Sequence, residues 1–185
     1  MGPQVPPRWA ANAVTAVRLV LTAGVAALVL HSDPTNALAW WAVGLASVAL
    51  VLDGVDGLIA RRGEIASGFG ARFDMEVDAA LILVLAAGLA WSGKVGWWVL
   101  AIGLARYAFG VAGRLWPVLR GELPPSRARK AVAVQQGVTL AVATAPVVPP
   151  WLAVAGCAVA LGCLAWSFGR DVRALIRTGG GPAPG

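Results

Sequence analysis

Six apolar stretches, at about 12–30, 37–60, 71–92, 95–117, 130–147 and 150–169, alternate with short polar breaks along the chain. The breaks read HSDPTN, RRGEIASGFG, SGK, LRGELPPSRARK and APVVPP, and they carry the Gly, Pro, Ser and Asn residues that stop helices. Each stretch is close to the roughly 20 residues a helix needs to cross the hydrocarbon of a bilayer. The pattern predicts an all-α, polytopic membrane protein with six transmembrane helices and both termini on one side. Residues 1–178 form a single membrane domain, and the Gly- and Pro-rich end predicts a flexible tail over 179–185.

Composition removes the soluble alternative. The chain is 58% hydrophobic and 13% charged, against about 25% charged for an ordinary soluble domain. Its mean hydropathy is +0.74. Charge then sets the orientation. With the N-terminus in the cytoplasm, 14 of the 15 Lys and Arg residues fall on the inner side, Arg18 and Arg106 counting only loosely because they lie within helices, and the outer turns receive Lys94 alone. Basic residues are retained on the cytoplasmic side, so both termini are expected there. Much of the +6 net charge is thus a topology signal that also suits anionic headgroups. No nucleic-acid partner is expected, because the arginines are scattered over loops with no soluble domain to present them. Arg18 and the five apolar stretches that follow argue against a cleaved signal peptide at the first stretch. Cys157 and Cys163, with no clustered His, read as small core residues, and His31 as a solvated turn residue.

Candidate chemistry is concentrated in DGVDGLIARRGEIASGFGARFDMEVD, residues 53–78, which holds six of the nine acidic residues. Asp53, Asp56, Gly57 and Ala60 follow i, i+3, i+4, i+7 spacing on the last turns of the second stretch. Gly70, Asp74 and Asp78 repeat every four residues on the first turns of the third. Gly57 and Ala60 keep their stripe low, and the four aspartates pair off at matching depth, so the two stripes face one cavity. Two carboxylates about 6 Å apart repel by roughly 3 kcal/mol at an effective dielectric near 20. Four such groups require counter-cations, and hard oxygen donors suit two Mg²⁺ or Mn²⁺ ions. Paired metals on bridging carboxylates serve displacement at phosphorus. The N-terminal end of the third helix also favours a bound phosphate. A structural ion-pair network with Arg61, Arg62 and Arg72 is the competing explanation of the acids.

The pattern D-x-x-D-G-x-x-A-R, eight residues, then G-x-x-x-D-x-x-x-D resembles the signature of the CDP-alcohol phosphotransferase family. Asp53, Asp56, Gly57, Ala60, Arg61, Gly70, Asp74 and Asp78 fill every fixed position. NAVTAVRL is similar to the family's N-terminal N-x-x-T-x-x-R through Asn12, Thr15 and Arg18. The resemblance implies a homodimeric phospholipid-synthesis enzyme in a bacterial cell membrane, its active site near the cytoplasmic face. An alcohol would attack the β-phosphorus of CDP-diacylglycerol and CMP would leave. By the same resemblance Asp53, Asp56 and Asp74 hold two metals on the pyrophosphate, and Asp78 faces them and takes the proton of the attacking hydroxyl. Gly57 and Gly70 permit close approach of the nucleotide and Ala60 lies in the same site. Arg61 binds phosphate, and Asn12, Thr15 and Arg18 line the nucleotide cavity.

The acceptor is less sharply marked. Arg106 falls well inside the fourth stretch, where an unpaired charge is costly. Arg129 and Lys130 open the fifth. A phosphorylated acceptor gives all three a shared ligand, which favours glycerol 3-phosphate, then inositol phosphate, with a neutral alcohol or cardiolipin-type acceptor as the alternative. Glu76 lies off the aspartate face and receives no role. Intramembrane prenyltransferases resemble the chain less, since they lack D-G-x-x-A-R; a cation transporter using the acidic cluster is the reading from another class.

Overall fold

The computed structural model describes residues 8–31, 37–60, 68–116 and 127–177. Within these, the side chains of 8–14, 30, 55–60, 68–74, 113, 114, 127 and 177 fall outside the description. Arg61 and the tail at 179–185 lie outside the described residues altogether.

Among the described residues the chain is all-α: α1 (Arg8–His31), α2 (Ala37–Ala60), α3 (Gly68–Trp91), α4 (Leu100–Leu115), α5 (Arg127–Thr144) and α6 (Pro150–Arg177). The helices fall where the apolar stretches predicted them, with two differences. A 3-10 turn over Trp97–Val99 precedes α4, and α6 continues eight residues past the expected end at 169. Leu175 and Asp171 are buried in that continuation, so packing carries the helix beyond its apolar run.

Local chemistry explains the sharp turns. Gly93 ends α3 with φ 70°, the left-handed stop that lacks a Cβ penalty, and the Val95 N–H returns to the Leu89 carbonyl at 3.1 Å. Pro150 opens α6, where its missing N–H is not needed. Lys94 joins the two turns, its Nζ donating to the Ala145 carbonyl at 2.6 Å; partial burial pulls its pKa below the usual lysine value.

Helix α3 is central, packing against α1, α4 and α5, while α5 also touches α2 and α6. Small side chains help: Ala42, Ala46 and Ala49 of α2, which packs on α1 and α5, are buried in the same core as Leu81, Leu85 and Ala86 of α3. Cys157 is buried in the core and Cys163 partly so. The outward faces are apolar, with Val20, Val51, Val111, Val138 and Val159 all exposed. The stretches Ala37–Gly54 and Pro150–Ile176 are long and apolar enough to cross a membrane, and only 22% of each is buried. Thr15–Val29 and Trp97–Ala112 are shorter apolar stretches.

Val29, Ala39, Gly88, Lys94 and Thr144 surround one small cavity, which places these helix ends together at one end of the bundle. Trp40, Trp41, Trp91, Trp97, Trp98 and Trp151 are exposed near that end. The acidic residues of α2 and α3 lie towards the other.

Candidate active site

Three helices converge on one guanidinium. Arg18, midway along α1, is only 1% exposed. Its Nη1 lies 3.2 Å from Oδ1 of Asp53 on α2, and its Nη2 donates to Oδ1 of Asp78 on α3. Asp53 stands seven residues before the end of α2 and Asp78 ten after the start of α3, or about 10 and 15 Å along their axes. One acid from each stripe therefore reaches the same guanidinium of α1. Thr22 donates to the Arg18 carbonyl at 2.8 Å, one turn along, and Thr15 is buried one turn before it.

The helical positions of Asp56, Gly57, Ala60, Gly70 and Asp74 continue the two stripes, as does Asn12 on α1, but their side chains are outside the described residues. The formal charge of Asp53, Asp56, Asp74, Asp78 and Arg18 together is −3. The carboxylates of Asp53 and Asp78 are 30% and 34% exposed. Hard oxygen donors from two helices thus gather around one positive charge while staying open on another side, which fits a divalent cation. Among the described residues no group of three or more His, Cys, Asp or Glu side chains is assembled.

The remaining candidates lie apart. Arg106 on α4 is held by Glu76 of α3, Nη2 to Oε1 at 3.0 Å, and both side chains are about half exposed. The intramembrane charge thus has a partner, and Glu76, left without a role by the sequence, supplies it. Arg129 on α5 lies 3.7 Å from Oδ2 of Asp171 on α6, whose Oδ1 accepts from Arg170 at 3.3 Å. Asp171 is 6% exposed, and the Arg170 guanidinium lies over the Trp166 ring, 5.2 Å from its centre. Lys130 is exposed beside Arg129. Asp171 escaped the sequence reading because the sixth stretch was ended before it; an acid flanked by Arg170 and Arg173 was the available signal. Gln136 is also buried, donating to the Ala160 carbonyl at 3.1 Å and fixing α5 against α6.

The chain is similar to the probable phosphatidylglycerophosphate synthase of Mycobacterium tuberculosis, in strains CDC 1551 / Oshkosh and ATCC 25618 / H37Rv. Identity to each is 32% over 145 residues, covering 76% of this chain and 68% of the relative. No solved structure matches the chain at a significant level. The CDP-alcohol phosphatidyltransferase description matches residues 8–166, a span holding the Arg18 cluster and both acidic stripes. With most of its length matched, this chain belongs to the CDP-alcohol phosphatidyltransferase family.

Proposed function

We propose that the protein transfers a phosphatidyl group from CDP-diacylglycerol to glycerol 3-phosphate, releasing CMP, at the cytoplasmic side of a membrane it crosses six times. The observation that carries this reading is the convergence of Asp53 and Asp78 from two helices of a family member. The similarity to probable phosphatidylglycerophosphate synthases supports glycerol 3-phosphate as acceptor. The apolar outer faces and the exposed tryptophans at one end support the membrane setting.

In this mechanism the acceptor hydroxyl oxygen attacks the β-phosphorus, the bond from that phosphorus to the CMP oxygen breaks, and CMP departs. Asp78 takes the hydroxyl proton, a role that suits a partly open carboxylate at the head of the site. Asp53, Asp56, Asp74 and Asp78 would hold two Mg²⁺ or Mn²⁺ ions, which when bound supply charge neutralisation at the pyrophosphate. Gly57, Ala60 and Gly70 leave room for the nucleotide, and Asn12, Thr15, Arg18 and Arg61 border it. The remaining contribution of the chain is positioning, on which phosphoryl-type transfer chiefly depends.

Arg106 is engaged by Glu76 and Arg129 by Asp171; Arg129, with Lys130 exposed beside it, is the proposed partner of the acceptor phosphate. Arg129→Gln is expected to raise KM for glycerol 3-phosphate by about tenfold or more, the weight of one charge-assisted hydrogen bond. Steady-state kinetics with each substrate varied in turn checks this, and KM for CDP-diacylglycerol should stay put. The Arg106–Glu76 pair has a different consequence. An ion pair half exposed on the α3–α4 face is costly against acyl chains, and a homodimer covering that face would shield it.

The decisive assay incubates purified protein and Mg²⁺ or Mn²⁺ with CDP-diacylglycerol and separate acceptors. Glycerol 3-phosphate should yield phosphatidylglycerophosphate and CMP by mass. A product only with inositol phosphate, a neutral alcohol or phosphatidylglycerol would reassign the acceptor. No CMP with any of them, together with metal flux in vesicles, would favour transport.

A further inference from the structure

We propose that Arg18 is the built-in counter-ion of the acidic hairpin: it ties Asp53 and Asp78 together before divalent cations arrive and competes with those cations for the same carboxylates. This rests on the two-metal reading given above and concerns what Arg18 does towards it.

Two features point to competition rather than to a passive scaffold contact. The guanidinium engages one acid on each of α2 and α3, Nη1 towards Asp53 and Nη2 towards Asp78. A single side chain from α1 thereby offsets the repulsion that two facing carboxylates create. Each of these contacts uses an Oδ1, and about a third of each aspartate side chain is exposed. A divalent ion can therefore reach the acids while Arg18 is still in place, where it meets a positive charge in contact with its own ligands. Like charges sharing one donor set weaken each other's binding, so Arg18 lowers cation affinity while it stabilises the cation-free fold. Its burial makes this strong: at 1% exposure the guanidinium has little water to turn to. The Thr22 bond to the Arg18 carbonyl and the packing of α1 on both α2 and α3 hold that section of α1 in position.

The test uses the full chain in detergent without lipid substrates. Mn²⁺ affinity is read by electron paramagnetic resonance, and thermal unfolding is followed in EDTA and in saturating Mn²⁺. Arg18→Gln is expected to bind Mn²⁺ at least about tenfold more tightly than the parent, because a unit charge beside the ligands is gone. It should unfold at lower temperature than the parent in EDTA and recover most of the loss in Mn²⁺. Arg18→Lys keeps the charge and should stay within about threefold of the parent affinity. If Arg18→Gln folds only with Mn²⁺ present, the counter-ion role is supported in its strongest form. If it fails to fold even in saturating Mn²⁺, a cation does not replace the guanidinium and the inference falls. Unchanged affinity in a folded Arg18→Gln protein sinks the inference while leaving the metal site standing. A parent protein that binds no Mn²⁺ sinks the two-metal reading itself.

Discussion

Asp78→Asn is expected to lower kcat for CMP release from CDP-diacylglycerol and acceptor by about 10³-fold, the scale of a lost general base. Asparagine keeps the shape and an Oδ1 acceptor towards Arg18, so the protein should remain folded and monodisperse, with a lower unfolding temperature from the charge lost beside a buried guanidinium. That pairing of results separates two roles of the same residue. Were Asp78 only an anchor for Arg18, the asparagine variant would keep turning over. CMP release measured beside thermal unfolding decides it, and turnover at the parent rate would remove Asp78 from the mechanism.

Gly103→Val is expected to push α3 and α4 apart and lower the unfolding temperature sharply, while Gly110→Ala on the same helix should leave it the same or slightly higher. A Cβ at Gly103 meets the Leu83 Cα at 2.7 Å and its Cδ1 at 2.9 Å. Backbone blocks the new methyl, so relief requires the helices to move apart. Overpacking of this kind costs about 1–3 kcal/mol. At Gly110 nothing lies within 4 Å of the added carbon. Gly137 is an intermediate case, since the close atom there is the Leu50 Cδ2 at 2.6 Å, the far end of a side chain that can rotate. Unfolding temperatures of the three alanine or valine variants in one detergent check the ranking; an equal loss at Gly103 and Gly110 would mean that helix contact is not the cause.

The sequence displayed helices clearly, and partners poorly. Alternation of apolar runs and helix-stopping breaks located α1 to α5 to within a few residues, because length and hydropathy are properties of each segment by itself. Helical periodicity likewise put Asp53 and Asp78 on facing stripes, and the structure brings these two together. It did not show which helix supplies the counter-charge. Arg61 and Arg62 lie outside the described residues, as does the side chain of Arg72; among the described residues the partner is Arg18, 60 residues before Asp78. The same limit hid the bond from Arg106 to Glu76, since spacing along one helix carries no information about its neighbour's register. Asp171 was lost for a different reason: a hydropathy window closes where charge begins, although α6 continues through the charge by packing Leu175 and pairing Asp171. The family motif directed attention to four aspartates of the hairpin, and this fifth one lies beyond the matched span.

The link from Lys94 to the Ala145 carbonyl bears on how substrates could enter. It fastens the α3–α4 corner to the α5–α6 corner, at the end of the bundle opposite the aspartates. A set of rods pinned at one extremity spreads most at the other, as tongs do. If the rods part, this clasp favours parting at the far extremity, which is where the proposed lipid donor would slip in.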